Sequence, residues 1–173
     1  MRFNRFILVL AAVVLFAGIS SAQNKFVGEK KCSMCHDKMA KGNAVEVWGK
    51  SGHAKAFETL KSKEADEIAK KKGLKKSAAE SPECLKCHVS GGGSNGAVAT
   101  EGVTCEGCHG PASAYLMLHN KKENAAKAKD AGLVLTADNG KMCEKCHNSE
   151  SPTFKGFDFK KMWPKVEHKL ASK

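Results

Sequence analysis

Gly102-Val103-Thr104-Cys105-Glu106-Gly107-Cys108-His109-Gly110-Pro111 is the stretch on which the architecture turns. Two cysteines three residues apart, followed at once by a histidine, make the C-x-x-C-H pattern of covalent haem attachment. On one helical turn two such thiols reach the two vinyl groups of a single porphyrin. The next residue then sets an imidazole under the iron as proximal ligand.

The same pattern occurs at Cys32-Ser33-Met34-Cys35-His36, Cys84-Leu85-Lys86-Cys87-His88 and Cys143-Glu144-Lys145-Cys146-His147. Together the four copies consume all eight cysteines. A framework of disulfides is the usual use of cysteine in an exported chain, but it gives no reason for a histidine after every second cysteine. Structural zinc mixes its fourth ligands and does not repeat one pentapeptide four times. A redox C-x-x-C comes singly, near a βαβ pattern that this chain lacks. The expected cofactors are four covalently bound c-type haems, with His36, His88, His109 and His147 as proximal ligands.

Seven histidines serve four irons, so His53, His119 and His168 remain as candidate distal ligands. If each binds, three haems are bis-histidine and one lacks a histidine on its sixth side. Bis-histidine ligation closes an iron and suits outer-sphere electron transfer, whereas an open position can take a small molecule. Met34, Met39, Met117, Met142 and Met162 are further axial candidates, though methionine more often fills gaps around apolar surface. A histidine from a neighbouring molecule is a third source.

Arg2 and Arg5 precede an apolar run from Phe6 to Ile19, and Ser20-Ser21-Ala22 ends it with small residues. This is the pattern of a secretory signal, cleaved after Ala22. The run is too short for the roughly 20 residues of a membrane span. Residues 23–173 then form one tetrahaem domain, periplasmic or extracellular, with no further transmembrane segment. That region is rich in Lys, Ala and Gly and poor in aromatics, so it needs something besides side chains at its centre.

The formal charge is +11, or +9 without Arg2 and Arg5. Four haems, each carrying about −1 when ferric and about −2 when ferrous, lower this to about +5 and about +1 by simple charge counting. Many lysines therefore neutralise propionates. The exported location argues against nucleic acid. Clusters at Lys70-Lys71-Lys72, Lys75-Lys76, Lys121-Lys122 and Lys160-Lys161 are solvated helix faces, or a surface for an acidic redox partner.

The pattern predicts helices over Val45 to Leu60, over Lys63 to Lys72 ending at Gly73, from Pro111 to about Ala131 before Gly132, and from Phe157 to Leu170 with a restart at Pro164. A turn-rich loop is expected from Gly91 to Gly96, and no strand alternation is sustained. Glycines at 96, 102, 107 and 110 would let backbone approach porphyrin closely. The fold class is mainly α: short helices and loops around four stacked haems, with little or no sheet.

With these residues in view, the chain resembles the tetrahaem cytochrome c-554 family. The resemblance rests on Gly28-Glu29-Lys30-Lys31-Cys32 through His36, Trp48 through His53-Ala54-Lys55-Ala56, and Cys84 through His88-Val89 before the glycine loop. It continues in Gly102 through Pro111, and in Cys143 through His147 before Ser151-Pro152. It implies a helical wrap around closely stacked haem pairs. By the same resemblance His36 would share its iron with His168, His109 with His53 and His147 with His119, leaving the haem at His88 five-coordinate. The implied function is electron transfer between redox-partner proteins, in the family from a hydroxylamine-oxidising enzyme. Two other functions are open: reduction of nitric oxide or a related nitrogen oxide at an open iron, and assembly into an extracellular filament. The sequence leaves monomer or self-assembly undetermined.

Overall fold

A computed structural model describes residues 23–37, 42–93, 96, 98–135 and 140–169. The expected signal segment, Met39, part of the glycine loop and Leu170 lie outside them. Among the described residues every regular element is helical and none is long and apolar enough to cross a membrane.

Nine short α-helices follow one another among the described residues: α1 Glu29–His36, α2 Ala44–Lys50, α3 Ala56–Thr59, α4 Lys63–Lys71, α5 Pro82–His88, α6 Cys105–His109, α7 Ala125–Asp130, α8 Lys141–Glu144 and α9 Phe159–Met162. The α4 helix forms where its sequence is most regular. Ser62 caps it by accepting from the Ala65 amide, Glu64 and Asp66 lie in the first turn and Lys70 and Lys71 in the last, as the helix dipole favours. The helix expected over Val45 to Leu60 is two helices, because Ser51 takes an extended conformation between two glycines that favour helix poorly. The expected helix from Pro111 to Ala131 reduces to turns, a 3-10 turn over Lys122–Asn124 and α7, with Lys121 extended at the break. At the C-terminal end the restart at Pro164 appears as a 3-10 turn, Trp163–Lys165, after α9.

The apolar interior is two small clusters rather than one core. Phe57, Leu60, Ala69, Ala78 and Val89 bring α3, α4 and the end of α5 together. Ala112, Tyr115 and Ala128 form the other, with Val27 packed on them. Between these clusters, backbone is held to backbone. Gly102 has φ 78, and a Cβ there would lie 2.7 Å from the His53 carbonyl oxygen. At Gly110, with φ 81, a Cβ would meet the Gly132 carbonyl oxygen at the same distance. In each case the missing side chain admits another stretch of main chain.

The segment before α1 is tied down by Glu106, which is buried inside the third motif. Its carboxylate accepts from the amides of Val27 at 3.0 Å, Gly28 at 2.8 Å and Ala112 at 2.7 Å. A buried carboxylate is tolerable only when such donors replace its water. Glu101 accepts from the Glu29 amide at 2.9 Å beside it.

Candidate haem-binding sites

Each motif sits at a helix end. The α1, α5 and α6 helices carry both cysteines of the first, second and third motifs and finish on the histidine. In the fourth motif α8 carries Cys143, and the amide of His147 in the following turn still bonds the Cys143 carbonyl at 2.9 Å. Helical periodicity places residues i, i+3 and i+4 on one face. Two thiols and one imidazole therefore lie side by side at each site, as one porphyrin requires.

None of the eight cysteines is in a disulfide. Thiols of different motifs are nevertheless neighbours. Cys32 and Cys105 are hydrogen-bonded, and that bond together with burial pushes the Cys32 thiol far up. Burial, with Cys87 beside it, pushes the Cys146 thiol up to about 12. Cys143 lies near enough to Cys108 to raise it electrostatically, after burial. In space the motifs therefore run first, third, fourth, second.

The histidines meet in pairs. Ring centroids are 5.8 Å apart for His36 and His119, 5.9 Å for His53 and His147, and 5.9 Å for His109 and His168. Two metal–nitrogen bonds of about 2 Å, plus the reach from each nitrogen to its ring centre, would put centroids about 6 Å apart. These pairs differ from those implied by the family resemblance, which set His36 with His168, His109 with His53 and His147 with His119. The reason is visible for His36. Lys25 and Ser113 bond each other twice, at 2.8 Å and 3.1 Å, and Val27 packs against the cluster that Ala112, Tyr115 and Ala128 form. The 112–119 segment is thereby fastened just ahead of α1, and His119 reaches His36.

Hydrogen bonding fits the same chemistry. Nδ1 of His88 lies 2.7 Å from the Ala56 carbonyl, Nδ1 of His109 2.8 Å from that of Val134, and Nδ1 of His119 3.2 Å from that of Tyr115. His168 Nδ1 lies 3.1 Å from the Val166 carbonyl. A carbonyl at Nδ1 fixes the tautomer that leaves Nε2 for a metal. Burial also holds His53, His109 and His147 below the ordinary histidine range, which favours the neutral, ligating form. No three His, Cys, Asp or Glu side chains among the described residues converge on one point as a bare ion would need. The donors instead stand in facing pairs, and they fit haem.

His88 differs. Its ring faces no other imidazole among the described residues, and its polar neighbours are the Ala56 carbonyl and the Thr59 hydroxyl, 3.3 Å away. Of the methionine candidates, Met34 and Met117 are largely exposed, at 71% and 75%. Sequence reasoning passed over Thr59 and the clasp made by Glu106. The one available signal was a carboxylate set inside a C-x-x-C of a lysine-rich chain.

Residues 31–110 match the family model of cytochrome c554 and c-prime. The chain is 36% identical over 129 residues to cytochrome c-554 of Nitrosomonas europaea, a match covering 67% of this chain and 53% of that protein. It thus spans about half the length of that relative. The fold is similar to the solved reduced state of cytochrome c554 from Nitrosomonas europaea, with a TM-score of 0.58, 27% identity and 84% of each chain covered.

Proposed function

The chain belongs to the cytochrome c-554 family, and from that premise we propose that it is an exported electron carrier between two redox-partner proteins. The eight cysteines fit four C-x-x-C-H haem sites. When bound, each haem supplies an iron that takes one electron from a donor protein and gives it to an acceptor. The protein's part is to hold and close the irons. His36 with His119, His53 with His147 and His109 with His168 would hold three of the irons, each pair through two imidazole nitrogens. His88 would hold the fourth through one. The observation that carries the reading is the 5.8–5.9 Å spacing of three ring pairs. Such closure leaves no coordination position for a substrate and suits transfer between haem edges. The order of neighbouring motifs makes the conduit first, third, fourth, second.

The partner surface lies beside the second site. Lys70, Lys71, Lys75 and Lys76 are exposed and enter no ion pair among the described residues. Lys72 is close enough to Cys84 to lower its thiol electrostatically, against the larger effect of burial. Clustered cations of this kind steer an acidic partner.

Haem quantified per chain, with EPR of the oxidised holoprotein, tests the proposal. Four haems are expected, three low-spin and one high-spin. Fewer than three low-spin irons would overturn it. The position of His88 favours a second reading, reduction of nitric oxide at that site. Two molecules would take two electrons and two protons to give nitrous oxide and water. Nitrous oxide formed by the reduced protein supports it, and an unchanged spectrum on adding nitric oxide removes it.

A further inference from the structure

Thr59 ends α3, and its hydroxyl donates to the Ala56 carbonyl at 2.7 Å. Threonine commonly bonds back to its own helix in this way, and alone the contact would mean little. Here the same carbonyl oxygen lies 2.7 Å from Nδ1 of His88, and the Thr59 oxygen lies 3.3 Å from that nitrogen. With Nε2 given to iron, Nδ1 carries the proton and must donate. One acceptor therefore serves two donors.

We propose that the Thr59 hydroxyl tunes the axial bond at the second haem by competing with His88 for the Ala56 carbonyl. The inference rests on His88 as that haem's proximal ligand. A strong bond from Nδ1 to a carbonyl makes the imidazole more basic and its bond to iron stronger. A hydroxyl already bonded to that carbonyl draws on the same lone pairs and weakens the effect. Its own weak acceptance from Nδ1, at 3.3 Å, is the smaller influence, because hydrogen bonds fade beyond about 3.2 Å. The carbonyl cannot swing away to satisfy one donor. Phe57 and Leu60 bury the flanks of α3, and the His53 carbonyl accepts from the amides of Ala56 and Val103. The segment that braces His88 thus begins at His53, one ring of another pair.

Thr59→Val removes the hydroxyl and keeps the branched shape at an exposed position, whereas Thr59→Ser keeps the hydroxyl. In the reduced holoprotein, resonance Raman should show the iron–histidine stretch of the high-spin haem moved upward in Thr59→Val and unmoved in Thr59→Ser. A redox titration should show that haem's potential more negative in Thr59→Val, with the three low-spin haems unchanged. A band unmoved by Thr59→Val, or all four potentials shifting together, overturns the inference. If the parent protein gives no iron–histidine band, the assignment of His88 fails, and the inference with it.

Discussion

The third and second sites are built from the same pentapeptide and end differently. At the third, α6 closes on His109 with His168 across from it, and Glu106 inside the motif gathers three backbone amides from two other segments. At the second, α5 closes on His88, which meets a carbonyl and a hydroxyl of one short helix. One site is knotted into the fold, and the other leans on it. Attachment chemistry is therefore local and repeatable, while what stands on an iron's far side is set by distant chain.

Removing the paired cysteines gives the largest effect and the most direct attack on that contrast. Cys84→Ala with Cys87→Ala should leave three haems per chain, abolish the high-spin signal and preserve the low-spin ones. Cys105→Ala with Cys108→Ala should sharply reduce accumulation of holoprotein, because the third motif neighbours both the first and the fourth. Haemochrome assay and EPR read both. Equal losses would erase the distinction.

The contrast also marks how far the sequence can be read. The four C-x-x-C-H motifs are legible because covalent attachment of haem requires that spacing within five residues. The α4 helix is legible because Ser62, the acids Glu64 and Asp66 and the lysines Lys70 and Lys71 point the same way. The distal pairs are a matter of long-range packing. Nothing within Tyr115 to His119 says that it lies against the residues before α1, and the family resemblance assigned His36 a different partner. The expected helices failed where local signals conflicted: Gly49, Ser51 and Gly52 interrupt a stretch whose apolar periodicity runs on. Thr59 is invisible for another reason. Its meaning lies in a carbonyl it shares with a residue 29 positions away, and main-chain acceptors leave no trace in sequence.

A smaller effect is expected from Glu106→Gln, which sharpens the same comparison. The amide nitrogen would face backbone N–H donors in place of an oxygen, and charged acceptors in buried hydrogen bonds contribute about 1.5–3 kcal/mol each. A loss of about 2–4 kcal/mol is expected on that scale, read as a lowered thermal midpoint of the holoprotein. The high-spin signal should survive at temperatures where the variant is folded, because no hydrogen bond of Glu106 reaches α3 or α5. Loss of that signal would mean that the second site depends on the clasp as much as the third.

The smallest effect concerns the surface beside the second site. Lys75→Gln with Lys76→Gln removes two exposed charges that enter no ion pair among the described residues, whereas Lys50→Gln removes one charge on α2, paired with Glu46. A unit charge about 10 Å from an incoming ion in water is worth about 0.4 kcal/mol, or roughly a factor of two in rate. Oxidation of the reduced protein by ferricyanide, a trianion on which each lysine acts with about three times that energy, should slow roughly tenfold or more at low salt in the double variant and change less in Lys50→Gln. Oxidation by hexaammineruthenium(III), a cation, should move the other way. At about 1 M salt the Debye length is about 3 Å, and the variants should converge. If Lys50→Gln and the double variant behave alike, the rate follows net charge, and the cluster near Cys84 is only a solvated helix end.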